Sequence, residues 1–179
     1  MKRSSHFANL SALVYKDFDK KLSAKLKELG YPTIRYIDVK GAQVMYLQNK
    51  QEQVLAFRGT EPTQMSDVQA DLKAWKSKSK TDGKVHDGFY DEINKVWKEI
   101  LPLIKNNKPL YICGHSLGGA MATIAASRLE EQTEALYTFG SPRVGNKKFV
   151  DNLVVKHYRW RNNNDLVSTV PFWIMGFRH

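Results

Sequence analysis

The residues with the clearest chemical signature form a Gly-x-Ser-x-Gly pattern, in which Ser116 lies between Gly114 and Gly118. A short apolar run that begins at Pro109 precedes the pattern and predicts a buried strand. The segment 120–129 that follows is rich in helix formers and predicts a helix. A serine on so sharp a strand-to-helix turn projects its hydroxyl above the sheet edge, and a Cβ at either flank would collide with the backbone that crosses there. The pattern therefore predicts a nucleophilic serine.

This serine needs two partners, because its hydroxyl is a poor nucleophile until a histidine accepts the proton and a carboxylate orients that histidine. On a strand–turn–helix scaffold of this kind, the acid and then the histidine follow the serine along the chain. That order leaves Asp151 or Asp165 as the acid, and His157 or His179 as the base. The histidines that precede the serine are assigned structural roles: His6, His86 and His115.

The direction of the last predicted strand, 154–160, separates these candidates. Catalytic groups gather at the carboxyl ends of the strands in such sheets, and Asp165 lies just past this strand's carboxyl end. Asp151 precedes its amino end, roughly 20 Å or more away at about 3.3 Å per residue. His157 is placed in mid-strand, where it cannot easily reach over the edge. We therefore predict Asp165 and His179 as the acid and the base.

The tetrahedral intermediate of acyl transfer needs two hydrogen-bond donors aimed at its oxygen. One donor is predicted to be the backbone N–H of Leu117, immediately after the serine. The other is expected from the loop after an earlier strand, where Gly59 and Thr60 follow the predicted strand 54–57. Gly59 allows a tight approach, and the Thr60 hydroxyl can lock the loop.

The elements that position these residues alternate between strands and helices after residue 50, which predicts a three-layer α/β fold with a mostly parallel central sheet. Before that point, a helix over 7–29 leads into three antiparallel hairpin strands. The predicted elements other than the strand, turn and helix around Ser116 are, in chain order, the helix 7–29, the strands 33–39, 42–47 and 54–57, an extended stretch 84–90, a helix 91–104, a strand 135–139, a helix from about 146 to 153 and the strand 154–160. We expect one domain over residues 1–179.

A polar segment that begins at Glu61 contains an apolar stripe. Met65, Val68, Leu72 and Trp75 recur at three- and four-residue steps, which predicts one face of a helix of about three turns. Core packing is the usual explanation of such a stripe. Beside a serine nucleophile, the alternative explanation is a movable lid.

Composition restricts the class of protein. The 179 residues carry a formal charge of +10, which favours solubility or attraction to anionic lipid surfaces and acidic substrates. No recognisable nucleic-acid-binding module accompanies the charge, so we expect no nucleic-acid partner. Cys113 is the single cysteine, which excludes an internal disulfide. No apolar run has the length of a transmembrane helix or a signal-peptide core, so we expect a cytoplasmic location, or export without a recognisable signal peptide.

Four blocks follow one another along the chain: Phe57-Arg58-Gly59-Thr60, Val85-His86-x-Gly88-Phe89-Tyr90, Gly114-His115-Ser116-Leu117-Gly118-Gly119-Ala120 and Tyr137-Thr138-Phe139-Gly140-x-Pro142-Arg143-Val144-Gly145-Asn146. Together they resemble the class 3 lipases, the family of the fungal triacylglycerol lipases and their bacterial relatives. The resemblance covers the chain from about residue 7 to residue 179.

This resemblance implies an α/β-hydrolase fold and hydrolysis of carboxylic esters through an acyl-enzyme, without a cofactor or a metal. The implied substrates are acylglycerols or similar lipid esters, with transient contact at a lipid interface. The resemblance implies that Ser116, Asp165 and His179 form the triad and that Thr60 and Leu117 form the oxyanion hole. It also implies a lid at about 61–72, which contains Met65, Val68 and Leu72. The alternatives are a phospholipase A1 or galactolipase of the same family, or a catalytically silent module that binds a lipid or a protein.

Three features depart from the family pattern. The family often has a tryptophan in the lid, where this chain has Val68 or nothing equivalent. The secreted fungal members carry disulfides and a leader, and this sequence shows neither. Family members usually continue past the histidine, so we expect His179, the last residue of this sequence, to be held less firmly.

Overall fold

The computed structural model describes residues 2–59 and 76–161. The strands are, in chain order, β1 (Thr33–Val39), β2 (Ala42–Gln48), β3 (Gln53–Phe57), β4 (Lys76–Lys78), β5 (Lys84–His86), β6 (Leu110–His115), β7 (Thr133–Phe139) and β8 (His157–Trp160). The helices are α1 (Lys2–Leu13), α2 (Lys20–Glu28), α3 (Asp87–Ile100), α4 (Leu117–Arg128) and α5 (Lys147–Asp151), with a 3₁₀ turn at Leu101–Leu103. Within the described part of the chain, no helix has both the length and the apolarity needed to cross a membrane.

The main sheet has the strand order β1-β2-β3-β6-β7-β8. The pairs β1–β2 and β2–β3 are antiparallel, whereas β3–β6, β6–β7 and β7–β8 are parallel. The carboxyl ends of these last four strands therefore meet at one edge of the sheet, which we call the carboxyl edge: Phe57, His115, Phe139 and Trp160. The opposite edge contains the amino ends of the same strands.

Helices cover both faces of this sheet. Successive side chains of a strand point to opposite sides, so one strand contributes to the core on both faces. On one face, Phe7 of α1 and Leu26 of α2 pack in a cluster with Cys113 of β6. On the other face, Ile93 of α3 packs in a second cluster with Ile112 of the same strand. The prediction of a three-layer fold with a mostly parallel sheet and antiparallel N-terminal strands is confirmed.

The predicted single helix over 7–29 is wrong, because the segment forms two helices. α1 ends at Leu13, and α2 begins at Lys20 after Asp19, whose carboxylate accepts a hydrogen bond from the N–H of Leu22 at 2.7 Å. This side-chain cap satisfies one of the unpaired N–H groups of the new helix. The apolar spacing continues across the break because both helices pack on the same face of the sheet.

The starts of α3 and β8 also differ from the predictions. α3 begins at Asp87 rather than at residue 91, because Nδ1 of His86 accepts a hydrogen bond from the N–H of Gly88 at 3.1 Å and caps the helix. β8 begins at His157 rather than at residue 154, since pairing with β7 starts where His157 lies opposite Leu136. His157 is therefore the first residue of its strand and not a mid-strand residue.

Candidate active site

Ser116 occupies the turn between β6 and α4 in a strained backbone conformation. Its φ is +55° and its ψ is −128°, a region that non-glycine residues rarely adopt. Its N–H donates to the carbonyl of Phe139 at 3.0 Å, and its own carbonyl accepts from the N–H of Gly119 at 2.9 Å. Its side chain does not cap α4. The hydrogen bonds of neighbouring strands and of the helix thus hold the serine in the conformation that a nucleophile elbow requires.

The glycines on either side of Ser116 are required by backbone-to-backbone packing. A Cβ on Gly114 would collide with the carbonyl group of Gly118. A Cβ on Gly118 would collide with the carbonyl oxygen of Phe57 and lie 2.8 Å from the carbonyl carbon of Arg58. The first turn of α4 therefore packs directly against the end of β3, as the Gly-x-Ser-x-Gly pattern predicts.

The loop after β3 is fixed against the elbow at Gly59. A Cβ on Gly59 would lie 2.6 Å from the carbonyl oxygen of His115 and 3.1 Å from the backbone nitrogen of Gly118. On its other side the loop is held by Arg58, whose backbone N–H donates to the carbonyl of Gln43 at 3.0 Å and whose guanidinium donates to the Gln43 side chain at 2.7 Å. The chain is thus held on both sides just before Thr60.

Tyr15, which follows α1, joins these two parts of the carboxyl edge. The N–H of Gly59 donates to its hydroxyl oxygen at 3.2 Å. The same hydroxyl lies 3.0 Å from Nδ1 of His115 and 3.4 Å from the His115 carbonyl oxygen. Sequence reasoning missed this residue, because Tyr15 and His115 are 100 positions apart and no local pattern connects them.

Of the predicted catalytic and oxyanion-hole residues, the structure describes Ser116 and Leu117. Leu117 is the first residue of α4, so its N–H belongs to the helix N-terminus, where the N–H groups have no intrahelical acceptor and the helix dipole favours negative charge. The other predicted residues lie outside the described part of the chain: Thr60, Met65, Val68, Leu72, Asp165 and His179.

The other candidates for the roles of acid and base make contacts elsewhere in the fold. Asp151 is exposed in α5, where its carboxylate pairs with Lys147 at 2.5 Å. His157 lies at the amino end of β8, where its Nε2 and the Thr138 hydroxyl are hydrogen-bonded at 2.8 Å. Burial, with a smaller contribution from Arg159, lowers the pKa of His157 to about 4. It is therefore a neutral, hydrogen-bonded residue of the sheet at physiological pH.

The histidines that precede the serine make structural contacts. His86 caps α3, His6 is hydrogen-bonded through Nε2 to the Tyr31 hydroxyl at 2.8 Å, and His115 contacts Tyr15. Among residues 2–59 and 76–161, no group of three or more His, Cys, Asp and Glu side chains could hold a metal ion.

A cavity of about 350 Å³ opens beside the candidate oxyanion hole. Gly59 and Leu117 line one side of it, and the turn between β1 and β2 and helix α3 line the other sides. The charged side chains in its lining are Lys40, Arg58, Glu92 and Lys95. Because Lys95 already pairs with Glu92 at 2.5 Å, the remaining charge of the lining is positive.

Residues 54–175 match the model of the family described as Lipase (class 3). This match spans more than half of the chain. The chain belongs to the class 3 lipase family. Its fold is the α/β-hydrolase fold, and the resemblance seen in the four sequence blocks is confirmed.

Among solved structures, a lipase from Rhizopus microsporus var. chinensis superimposes with a TM-score of 0.83 at 25% identity, covering 99% of this chain and 71% of that chain. Among curated relatives, the toxin TseL of Vibrio cholerae is 40% identical over 95 residues, which are 49% of this chain and 15% of TseL. A secreted mono- and diacylglycerol lipase of Fusarium solani is 38% identical over 106 residues, 53% of this chain and 32% of that lipase. The match to this chain thus spans a third or less of the length of these two relatives.

Proposed function

We propose that this member of the class 3 lipase family is a serine hydrolase of carboxylic esters, acting on acylglycerols or similar lipid esters. The observation that carries the proposal is the backbone of Ser116, with φ +55° at a buried strand-to-helix turn. A strained conformation of this kind persists only where the surroundings enforce it, and such residues cluster at active sites. Family membership and the name of the Fusarium relative, a mono- and diacylglycerol lipase, support the substrate class.

In the proposed reaction, Oγ of Ser116 attacks the ester carbonyl carbon while His179 accepts the hydroxyl proton. The tetrahedral intermediate collapses, the C–O bond to the alcohol breaks, and the alcohol leaves with the proton from His179. Water then attacks the acyl-enzyme, again giving its proton to His179, and the carboxylic acid leaves as Ser116 is regenerated. Asp165 orients His179; its assignment is supported by its position in the sequence, five residues after β8 ends at the carboxyl edge.

The oxyanion of each tetrahedral intermediate is proposed to bind the backbone N–H groups of Leu117 and Thr60. Leu117 is supported by its place at the N-terminus of α4. Thr60 is supported by the contact of the preceding residue, Gly59, with His115 and Gly118. The apolar stripe of Met65, Val68 and Leu72 is proposed to line a lid at about 61–72 that opens at a lipid interface.

Active-site labelling tests the proposal directly. A fluorophosphonate should add once to the wild-type protein, as measured by intact mass, and should not add to Ser116→Ala. Hydrolysis of p-nitrophenyl butyrate should fall on the order of 10³-fold or more in Ser116→Ala. Ser127→Ala is the matched control, because Ser127 is a buried serine of α4, the helix that follows Ser116, and its hydroxyl donates to the carbonyl of Ile124 at 2.8 Å.

Retained labelling and hydrolysis in Ser116→Ala would overturn the proposal. A wild-type protein that neither reacts with the fluorophosphonate nor hydrolyses the ester, yet still binds lipid vesicles, would indicate the catalytically silent module instead.

The cavity beside the oxyanion hole favours one alternative, a phospholipase A1 specificity, because Lys40 and Arg58 leave its lining positively charged, which suits an anionic headgroup. Under this alternative, Lys40→Gln should lower kcat/KM for monomeric dihexanoyl phosphatidylglycerol about threefold, the size expected of an exposed charge. The control is Lys50→Gln, an exposed hairpin-turn lysine at the opposite edge of the sheet. Equal rates in both variants would leave acylglycerols as the substrate.

A further inference from the structure

We propose that Tyr15 is a positioning residue, whose hydroxyl sets the spacing between the loop after β3 and the nucleophile elbow. The inference rests on the proposed function, since the two segments that it joins supply the two proposed donors of the oxyanion hole. Tyr15 itself does not touch the reacting atoms in this assignment. It acts through Gly59 and His115.

The hydroxyl can bridge the two segments whichever nitrogen of His115 carries the proton. The N–H of Gly59 can only donate, so the Tyr15 oxygen accepts this hydrogen bond. If Nδ1 of His115 is unprotonated, it accepts a hydrogen bond from the Tyr15 hydroxyl at 3.0 Å. If Nδ1 is protonated, it donates to the Tyr15 oxygen, and the hydroxyl proton points to the His115 carbonyl at 3.4 Å. In both cases one oxygen atom joins the residue before Thr60 to the residue before Ser116.

The packing at Gly59 leaves little freedom for this spacing. A Cβ on Gly59 would lie 2.5 Å from the Tyr15 hydroxyl and 2.6 Å from the His115 carbonyl oxygen, so the loop already lies at close contact with both. Donors of an oxyanion hole must lie within about 2.7–3.1 Å of the developing charge. Without the Tyr15 oxygen, the N–H of Gly59 loses this acceptor, and the end of the loop at Gly59 is held less firmly against the elbow.

The Tyr15 ring is held by contacts that do not involve its hydroxyl. The guanidinium of Arg58 lies 5.5 Å from the ring centroid, and the ring of His115 meets it edge-on at 5.8 Å. Tyr15→Phe preserves these contacts and removes only the bridging oxygen. The variant therefore separates positioning from packing.

Steady-state kinetics on the full chain provide the first test. For Tyr15→Phe we expect kcat on p-nitrophenyl butyrate to fall about tenfold, less than for removal of an oxyanion donor, with KM unchanged within about twofold. A trifluoromethyl ketone forms a tetrahedral adduct with an oxyanion, so its inhibition constant should rise by the same factor. A purely structural role would lower the melting temperature without this separation of kcat from KM.

Tyr31→Phe is the matched control. Tyr31 is buried, whereas Tyr15 is partly buried, and the Tyr31 hydroxyl donates to Glu52 at 2.6 Å and contacts His6 at the opposite edge of the sheet. We expect this variant to be less stable, with kcat and the inhibition constant both unchanged.

Amide hydrogen exchange provides a second test that does not depend on activity. The exchange rate of the Gly59 amide, measured by NMR, should rise about tenfold in Tyr15→Phe. In Tyr31→Phe it should rise by no more than the lower global stability of that variant accounts for. An unchanged Gly59 exchange rate, or a kcat within twofold of wild type, overturns the inference. Failure of the proposed function is distinguishable, because the wild-type protein would then show no hydrolysis and no fluorophosphonate adduct.

Discussion

Each of the two edges of the central sheet has a tyrosine hydroxyl in contact with a histidine ring, but the other partners of the two hydroxyls differ. At the carboxyl edge, the Tyr15 hydroxyl contacts a histidine ring and otherwise backbone atoms, the Gly59 N–H and the His115 carbonyl. At the opposite edge, the Tyr31 hydroxyl also contacts a histidine ring, but its other partner is the carboxylate of Glu52, which pairs with Arg3 at 2.7 Å.

This difference separates positioning from stability. Hydrogen bonds to backbone atoms fix where the main chain lies, and a proposed oxyanion hole made of backbone N–H groups depends on that position. Hydrogen bonds among charged and polar side chains fasten α1 to Tyr31 and to Glu52 in the turn between β2 and β3, and neither residue supplies a donor to the proposed oxyanion hole. Substitutions at the carboxyl edge should therefore affect turnover, and those at the opposite edge should affect unfolding.

The largest effect is expected at Asp165, which follows β8 beyond the carboxyl edge in the sequence. Asp165→Asn should lower kcat about 10⁴-fold, because an amide leaves the catalytic imidazole in the wrong tautomer. Asp151→Asn is the matched control, since Asp151 makes an exposed ion pair with Lys147. Its kcat should stay within about twofold of wild type. The reverse ranking of the two variants in ester hydrolysis would contradict the assignment of catalysis to this edge.

A smaller effect is expected where the loop meets the elbow. Gly59→Ala introduces a Cβ at 2.6 Å from the His115 carbonyl oxygen, so the loop or the elbow must shift. We expect kcat to fall on the order of 10²-fold and the free energy of unfolding to fall by about 1–3 kcal/mol. Chemical denaturation and ester hydrolysis measure the two quantities separately.

The control for this substitution is Gly88→Ala in the first turn of α3. A Cβ there lies 3.4 Å from the ring of His86, close to ordinary contact. This variant should be as stable as wild type or slightly more so, since alanine favours a helix by about 1 kcal/mol over glycine. Equal losses in both glycine variants would mean that the packing of Gly59 against the elbow has no special importance.

Some elements of the fold and of the candidate site could be predicted from the sequence, and others could not. The hairpin strands and the elbow were predicted because short-range signals specify them: alternating apolar residues, turn residues and glycines at a fixed spacing around Ser116. The break between α1 and α2 was missed because both helices bury the same face, so the apolar spacing continues across it. The contact of Tyr15 with Gly59 and His115 was not predictable, since it depends on how helix and loop pack in three dimensions.

A third prediction concerns His157, the first residue of β8, which lies opposite Leu136 of β7. Burial and, to a smaller extent, Arg159 lower its pKa to about 4. An unfolded histidine has a pKa of about 6.5, so between about pH 6.5 and 4 the unfolded chain binds one more proton than the folded chain. The free energy of unfolding therefore has its full value above pH 6.5 and decreases as the pH falls, by about 2 kcal/mol between pH 6.5 and 5.

Replacement of this histidine should remove that slope. His157→Asn should be less sensitive to acid over the same interval in urea denaturation, and its ester hydrolysis at pH 8 should stay within about threefold of wild type if His179 is the base. Abolished hydrolysis in a folded His157→Asn protein would make His157 the base and would contradict the proposed triad.

The smallest effect is expected at the opposite edge. The Arg3 side chain is 54% exposed, pairs with Glu52 at 2.7 Å and lies 4.1 Å over the ring of Tyr111. An exposed ion pair contributes about 0.2–1 kcal/mol, and stacking on an aromatic ring adds a similar amount at a partly exposed site. Arg3→Gln should thus lower the free energy of unfolding by about 0.5–1.5 kcal/mol and leave kcat unchanged.

Added salt and a conservative variant separate the contribution of the ion pair with Glu52 from that of the stacking on Tyr111. In 0.5 M NaCl the ion pair is screened, so the difference between wild type and Arg3→Gln should shrink toward the contribution of stacking alone. Arg3→Lys keeps the charge but loses the planar guanidinium over Tyr111, and it should fall between the two proteins at low salt. A kcat loss of more than twofold in Arg3→Gln would contradict the comparison, because it would show that the opposite edge also controls the position of the proposed nucleophile, Ser116.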